Sequence, residues 1–254
     1  CTGMTVAALV CGNTCVVKPA EQTPGIARLM HDILLEAGCP PEACVFLPGP
    51  GETVGARLVR DARTAIIAFT GSKAVGLDIL QAAGVTPEEQ LHVKKVVCEM
   101  GGKNAVIVDA SADLDEAVLG VRHSAFGFSG QKCSACSRAI VVETAYDTFL
   151  ERIVESTRSL VVGDPRLPGT DVGPVIDRDA QRKISEYVEI GATEGRLEVQ
   201  LPVPEGLEEA VGLPYVGPAV VSGIEPHHRL ATEEIFGPVL AGMKGADFDE
   251  ALAG

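Results

Sequence analysis

The chain has 254 residues, 46% of them hydrophobic, and carries a formal net charge of −14. That is enough apolar sequence for a sizeable core, at a length between one large domain and two. The acidic balance and the lack of any Lys/Arg run exclude a nucleic-acid backbone as partner, and no apolar stretch reaches the ~18 residues of a membrane span, so an acidic soluble enzyme is expected.

Cys1 to Val10 lacks the basic segment of a signal peptide and reads as the middle of a helix. The turn Gly12-Asn13-Thr14 leads into a strand at Cys15-Val16-Val17 with Lys18 at its carboxyl end. Thr23 as N-cap and Pro24 at the first helical position then open a helix whose apolar positions (Ile26, Leu29, Met30, Ile33, Leu34, Ala37) recur at helical spacing until Gly38. The same strand–turn–helix order repeats twice. Val45 to Leu47 enters the Gly49 to Gly55 turn and a helix to about Arg60, and Ala65 to Phe69 enters Thr70-Gly71-Ser72 and a helix to about Ala83.

Further strands are expected at Lys95 to Cys98 and Ala105 to Val108, followed by a helix capped by Asp113 and running to about Ala125. After Cys133 come a strand at Arg138 to Val142, a helix from about Tyr146 to Leu160, a long loop from Gly163 to Pro174 and a helix from about Asp179 to Gly191. Val203 to Leu213 is weakly patterned and reads as exposed, and Phe248 begins a helix that reaches the last residues. Alternating strands and helices predict an α/β fold with a parallel sheet and ligands at the strand carboxyl ends. A change of character near Glu99 to Gly102 divides the chain into domains at 1–99 and 100–254. Both ends read as cut from a longer protein.

Cys133, between a Gly130-Gln131 turn and a run of small residues, has the setting of an addressable thiol and is the candidate nucleophile. Cys133-Ser-Ala-Cys136 is also a C-x-x-C spacing, open to reading as a redox pair or half a zinc site. Glu99, between an apolar strand and two glycines, is a candidate base if burial raises its pKa. Lys18 and Glu21 can donate to and accept from sugar hydroxyls, or serve as solvated loop charges. Gly71-Ser72 offers free N–H groups and a hydroxyl to a pyrophosphate at a helix start. Gly49-x-Gly51-x-x-x-Gly55 is one residue longer than the strict dinucleotide fingerprint. Five histidines show no ligand spacing, so no metal is expected. The eight cysteines lack the spacing of a disulfide scaffold, which suits a reducing cytosol.

Five motifs occur in order: Lys18-Pro-Ala-Glu21-Gln-Thr-Pro24, Phe69-Thr-Gly-Ser72-x-x-Val75-Gly76, Glu99-Met-Gly-Gly102, Gly130-Gln-Lys-Cys133 and Glu233-Glu-Ile-Phe-Gly-Pro238. The set resembles the aldehyde dehydrogenase superfamily. Within it, Gly102 to Asp109 and Phe126 to Arg138 resemble the L-glutamate γ-semialdehyde (1-pyrroline-5-carboxylate) dehydrogenases of proline breakdown.

The resemblance implies part of a modified Rossmann NAD-binding domain followed by an α/β catalytic domain, with an oligomerisation flap largely outside this chain. It places Lys18 and Glu21 at the adenosine ribose of NAD, Gly51, Gly55, Gly71, Ser72 and Val75 around adenine and pyrophosphate, and Glu234 and Phe236 at the nicotinamide side. Cys133 becomes the nucleophile and Glu99 the base, while Lys132 and Ser134 meet the polar end of a small aldehyde substrate. A homo-oligomer in the cytoplasm, or in the mitochondrial matrix of a eukaryote, is expected. Dehydrogenation of another semialdehyde, or a non-catalytic fragment that keeps the fold, are the competing readings.

Overall fold

The computed structural model describes residues 1–253, which fall into two compact units, Cys1–Gly101 and a second that starts at Gly102. The first unit runs α1 (Thr2–Val10), β1 (Cys15–Val17), α2 (Pro24–Glu36), β2 (Cys44–Phe46), a π-type turn at Gly51–Gly55, α3 (Ala56–Arg60), β3 (Ile66–Thr70), α4 (Lys73–Ala83) and β4 (Lys95–Glu99). β1 pairs in parallel with β2, and β3 in parallel with β4, as separate two-stranded sheets. Parallel neighbours need a crossover, which α2 and α4 supply.

Local chemistry sets the helix ends. Pro24 occupies the first turn of α2, where its missing N–H has no intrahelical acceptor to lose, and Gly38 follows the helix at φ +93°. Thr23 makes no side-chain capping bond, contrary to the expected cap, whereas Ser72 Oγ accepts from Val75 N at 3.4 Å and opens α4. Val59, Ile67 and Ala83 form a small core between α3, α4 and β3.

The second unit runs β5 (Asn104–Val108), α5 (Leu114–Phe126), β6 (Cys136–Val142), α6 (Glu143–Arg158), α7 (Arg178–Glu194), β7 (Arg196–Gln200), α8 (Leu207–Val211), β8 (Ala219–Ser222), α9 (Arg229–Thr232), β9 (Val239–Gly245) and α10 (Phe248–Ala253). The strands form one sheet in the order β5-β6-β9-β8-β7. β6, in its interior, is apolar on both faces, the pattern of a strand covered by helices on each side. Val141 packs on one side with Val121, Phe126, Phe149 and Ile153 of α5 and α6. Ile140 packs on the other with Ile184, Leu230 and Ile235. Asp113 caps α5 by accepting from the N–H groups of Asp115 and Glu116.

Two expectations change. The sheet is mixed, because β7 pairs antiparallel with β8 at the edge. Residues 203–213 are not simply exposed: α8 forms between Gly206 (φ +74°) and Gly212 (φ +78°), and Val203, Leu207 and Val211 lie against the core. Left-handed glycines at both ends let this short helix fold back, which hydrophobic spacing alone does not reveal.

Candidate active site

In the first unit, the loop after β1 brings Lys18 and Glu21 together. Lys18 Nζ donates to Pro19 O at 2.6 Å, to Gly49 O at 3.1 Å and to Glu21 Oε1 at 3.1 Å. The Gly51 N–H donates to the same carboxylate. Glu21's own backbone N–H, and then Lys18, hold its carboxyl below the usual range. A Cβ on Gly51 would stand 3.3 Å from Glu21 Oε1, and one on Gly55 would stand 3.5 Å from Lys18 Cδ, so these two glycines leave the cluster open. Four expected cofactor residues therefore converge.

Gly71, Ser72 and Val75 converge separately at the carboxyl end of β3, where α4 starts. A Cβ on Gly71 would stand 2.4 Å from the Phe69 ring, so a side chain here requires that ring to move. Glu99 ends β4 and is exposed, not buried as the reading of a base raised by desolvation requires. A strand end presents a carboxylate to solvent whenever no element of the same unit covers it.

The second unit carries the cysteine turn. Phe128, Ser129 and Gly130 are consecutively left-handed (φ +56°, +55° and +67°), and they turn the chain out of α5. Ser129 Oγ anchors the turn on Gly173 O at 2.9 Å, and Gln131 ties it to 174–176 by donating to Pro174 O and accepting from Ile176 N. Asn104 Nδ2 donates to Cys133 O at 2.6 Å and to Ala135 O at 3.2 Å, clamping the turn onto the start of β5. Cys133 is exposed. Cys136, three residues on, is the first residue of β6 and buried, and burial pushes its thiol up to about 11. The solvent-reachable thiol at this turn is therefore Cys133.

Beside the turn lies a shallow hollow whose lining includes Lys132, Ser137, Glu234, Phe236 and Gly237. Ser134 is exposed on the turn itself. Lys103 is half-buried, but its Nζ is shut from solvent and makes no hydrogen bond. Burial, with Arg138 beside it, pushes that amine down to about 8, while Glu234 and Glu233 pull the other way. No group of three or more His, Cys, Asp or Glu residues among the described residues is arranged to hold a metal ion, and no described helix is long and apolar enough to cross a membrane.

The model of the aldehyde dehydrogenase family matches residues 1–254. The chain belongs to the aldehyde dehydrogenase family. The 1-pyrroline-5-carboxylate dehydrogenase of Geobacillus thermodenitrificans is 50% identical over 250 residues, 98% of this chain and 48% of that protein. The crystal structure of proline utilization A from Bdellovibrio bacteriovorus, inactivated by N-propargylglycine, has a TM-score of 0.93 and 45% identity over 98% of this chain and 25% of its own. A 1-pyrroline-5-carboxylate dehydrogenase from Thermus with bound NAD has a TM-score of 0.91 and 44% identity over 99% of this chain and 48% of its own. The chain thus spans about half the length of the curated relatives it matches, and its fold is that of the aldehyde dehydrogenases.

Within this aldehyde dehydrogenase fold, sequence reading assigned no role to Asn104, Gln131 or Lys103. Asn104 carried one usable signal, a polar residue opening an otherwise apolar strand. Its partner, more than twenty residues downstream, becomes visible only once β5 lies beside β6 with Asn104 opposite Cys136.

Proposed function

We propose that this chain serves the NAD-dependent oxidation of L-glutamate γ-semialdehyde to L-glutamate, a step of proline breakdown, through a thioester on Cys133. The observation that carries the reading is the exposure of Cys133 on a turn clamped by Asn104 while Cys136 is buried. The names of the similar proteins support the substrate assignment. A homo-oligomer and a cytoplasmic location belong to the same reading and are supported by the family resemblance alone.

The residues present fit NAD. The Glu21 carboxylate, held in place by Lys18, offers a charged acceptor for ribose hydroxyls, and Gly51 keeps it uncrowded. Ser72, Gly71 and Val75 begin α4, where N–H groups and the helix dipole favour a pyrophosphate. Glu234 and Phe236 would hold the nicotinamide side. When bound, NAD supplies the hydride acceptor.

Cys133 Sγ, as the thiolate, adds to the aldehyde carbon and forms a C–S bond, the carbonyl oxygen becoming an oxyanion for which the Cys133 N–H is a donor. Loss of hydride from that carbon restores the carbonyl as a thioester. Water then attacks the thioester carbon, one proton passing to Glu99, the base that the family resemblance assigns; the C–S bond breaks, the thiolate returns, and the acid product gives its remaining proton to solvent. Lys132 and Ser134 supply charge and a hydroxyl donor to the α-carboxylate at the far end of the substrate.

The test uses a protein of the relatives' full length that carries this segment. Cys133→Ala should abolish NADH formation while Cys136→Ala keeps most of it, and Ser134→Ala should raise KM for the semialdehyde but not for simple aliphatic aldehydes. Activity that survives Cys133→Ala refutes the mechanism. Preference for a different semialdehyde refutes the substrate.

A further inference from the structure

The segment 233–237, which joins α9 to β9, is held at both ends by the same helix. At its start, the Glu233 carboxylate accepts from the Tyr187 hydroxyl of α7 and from Arg229, whose Nε lies 3.2 and 3.1 Å from the two oxygens and whose Nη2 lies 3.0 Å from Oε2. The Arg229 guanidinium also sits over the Tyr187 ring, 5.4 Å from its centroid. At the other end, Gly237 rests on Ile184, one turn back along α7, so closely that a Cβ would stand 2.5 Å from Ile184 Cγ1. Helix α9, which carries Arg229, is tied to α7 as well: Glu194 accepts from the N–H groups of Arg229 and Leu230, both at 2.9 Å.

Between these anchors Ile235 is buried, while Phe236 sits at φ +59° and is 42% exposed. A left-handed conformation is costly for a bulky residue and persists only where the surroundings over-determine it. Here the surroundings are the two α7 contacts and the close seat of Gly237 on Gly130. A charge-assisted bond to a fixed carboxylate is directional enough to set where the next residues point.

We propose that Tyr187 is a positioning residue for dinucleotide binding: by fixing Glu233 against α7, together with Arg229, it sets the backbone that presents Glu234 and Phe236. The proposal rests on the reading that Glu234 and Phe236 meet the nicotinamide half of NAD. Tyr187 itself touches neither substrate nor cofactor.

The experiment compares Tyr187→Phe, Glu233→Gln, Glu234→Gln and Tyr146→Phe in the same full-length context, reading KM for NAD, kcat and Tm. Tyr146 is the control, because it is a buried tyrosine whose hydroxyl is hydrogen-bonded, accepting from Gly223 N at 3.3 Å, on a different part of the sheet. Tyr187→Phe should raise KM for NAD by roughly five- to tenfold, and Glu233→Gln, which keeps the shape but weakens both bonds, should give a smaller rise. The Tyr187→Phe/Glu233→Gln double variant should be less than multiplicative, as residues of one network are. Tyr146→Phe should lower Tm by a similar few degrees and leave KM unchanged.

A rise in KM for Glu234→Gln with none for Tyr187→Phe overturns the positioning role and leaves the cofactor assignment standing. Equal rises for Tyr146→Phe and Tyr187→Phe also overturn it, by reducing the effect to stability. If Glu234→Gln changes nothing, the cofactor assignment itself fails, and the positioning role with it.

Discussion

Gly130 and Gly237 meet backbone to backbone: a Cβ on Gly130 would stand 2.3 Å from the Gly237 carbonyl oxygen. The turn that carries Cys133 and the segment that carries Glu234 and Phe236 are thereby seated on each other without an intervening side chain. Gly130 is also left-handed, at φ +67°. Gly130→Ala therefore adds a collision to an unfavourable conformation, and urea unfolding should show a loss of at least ~2 kcal/mol. Gly127, three residues earlier, would have nothing within 4 Å of a Cβ and has a φ of −57°. Gly127→Ala should stay within about 0.5 kcal/mol of the unaltered chain.

Asn104 holds the cysteine turn by donating to two carbonyl oxygens, those of Cys133 and Ala135. Removing it leaves both acceptors without that partner, and because the site is open to water Asn104→Ala should cost about 0.5–1.5 kcal/mol in chemical denaturation. Asn104→Asp is nearly the same size but sets carboxylate oxygens against carbonyl oxygens. It should be the more damaging of the two, and the difference should shrink at acid pH, where a protonated carboxyl can donate again. Equal losses at neutral pH would mean the bonds contribute shape only.

Lys103 makes stability depend on pH. Its amine is pushed down from 10.5 to about 8 in the folded chain, so below about 8 both states are protonated and the folded state bears the whole cost of a buried charge. As pH rises through about 8, the folded state releases its proton while the unfolded state keeps it, and stability climbs. Cys136 and Cys15, raised from 9.0 to about 11, act in the opposite sense above pH 9.0. The window between about 8 and 9.0 therefore isolates the lysine. Lys103→Met should stabilise the chain by about 1–3 kcal/mol at neutral pH, with the gain shrinking across that window when Tm is followed against pH.

Glu21 bears on the choice of dinucleotide. Its carboxyl is held ionised by its own N–H and by Lys18, so a 2′-phosphate placed on the adenosine ribose would meet a negative charge. NAD should bind more tightly than NADP in calorimetry on a protein of the relatives' length, and Glu21→Gln should narrow the ratio by about tenfold. NADP binding as tight as NAD would remove Glu21 from the ribose.

The strand–helix order of the first unit, the Asp113 cap, the helix stop before Gly38 and the ordered motifs from Lys18 to Pro238 were legible in the amino-acid sequence. Each depends on residues within a few positions of one another, where periodicity and backbone preference act. β7, β8 and β9 did not announce themselves. Ala219 to Ser222 is a short apolar run that becomes a strand only by pairing with Val239 to Ala241 and, in the opposite sense, with Arg196 to Gln200. Sequence spacing named Cys133 as the nucleophile but left the Cys133–Cys136 spacing open to a redox-pair or zinc reading. Their separation came from tertiary structure, because Cys136 enters β6 and is covered by the core while Cys133 stays on the turn outside it. The clamp at Asn104, the sealed amine of Lys103 and the hold of Tyr187 on Glu233 are likewise tertiary. Each joins residues tens of positions apart, and a sheet register or a helix seat, not a local preference, decides which polar atoms meet and which are shut away from water.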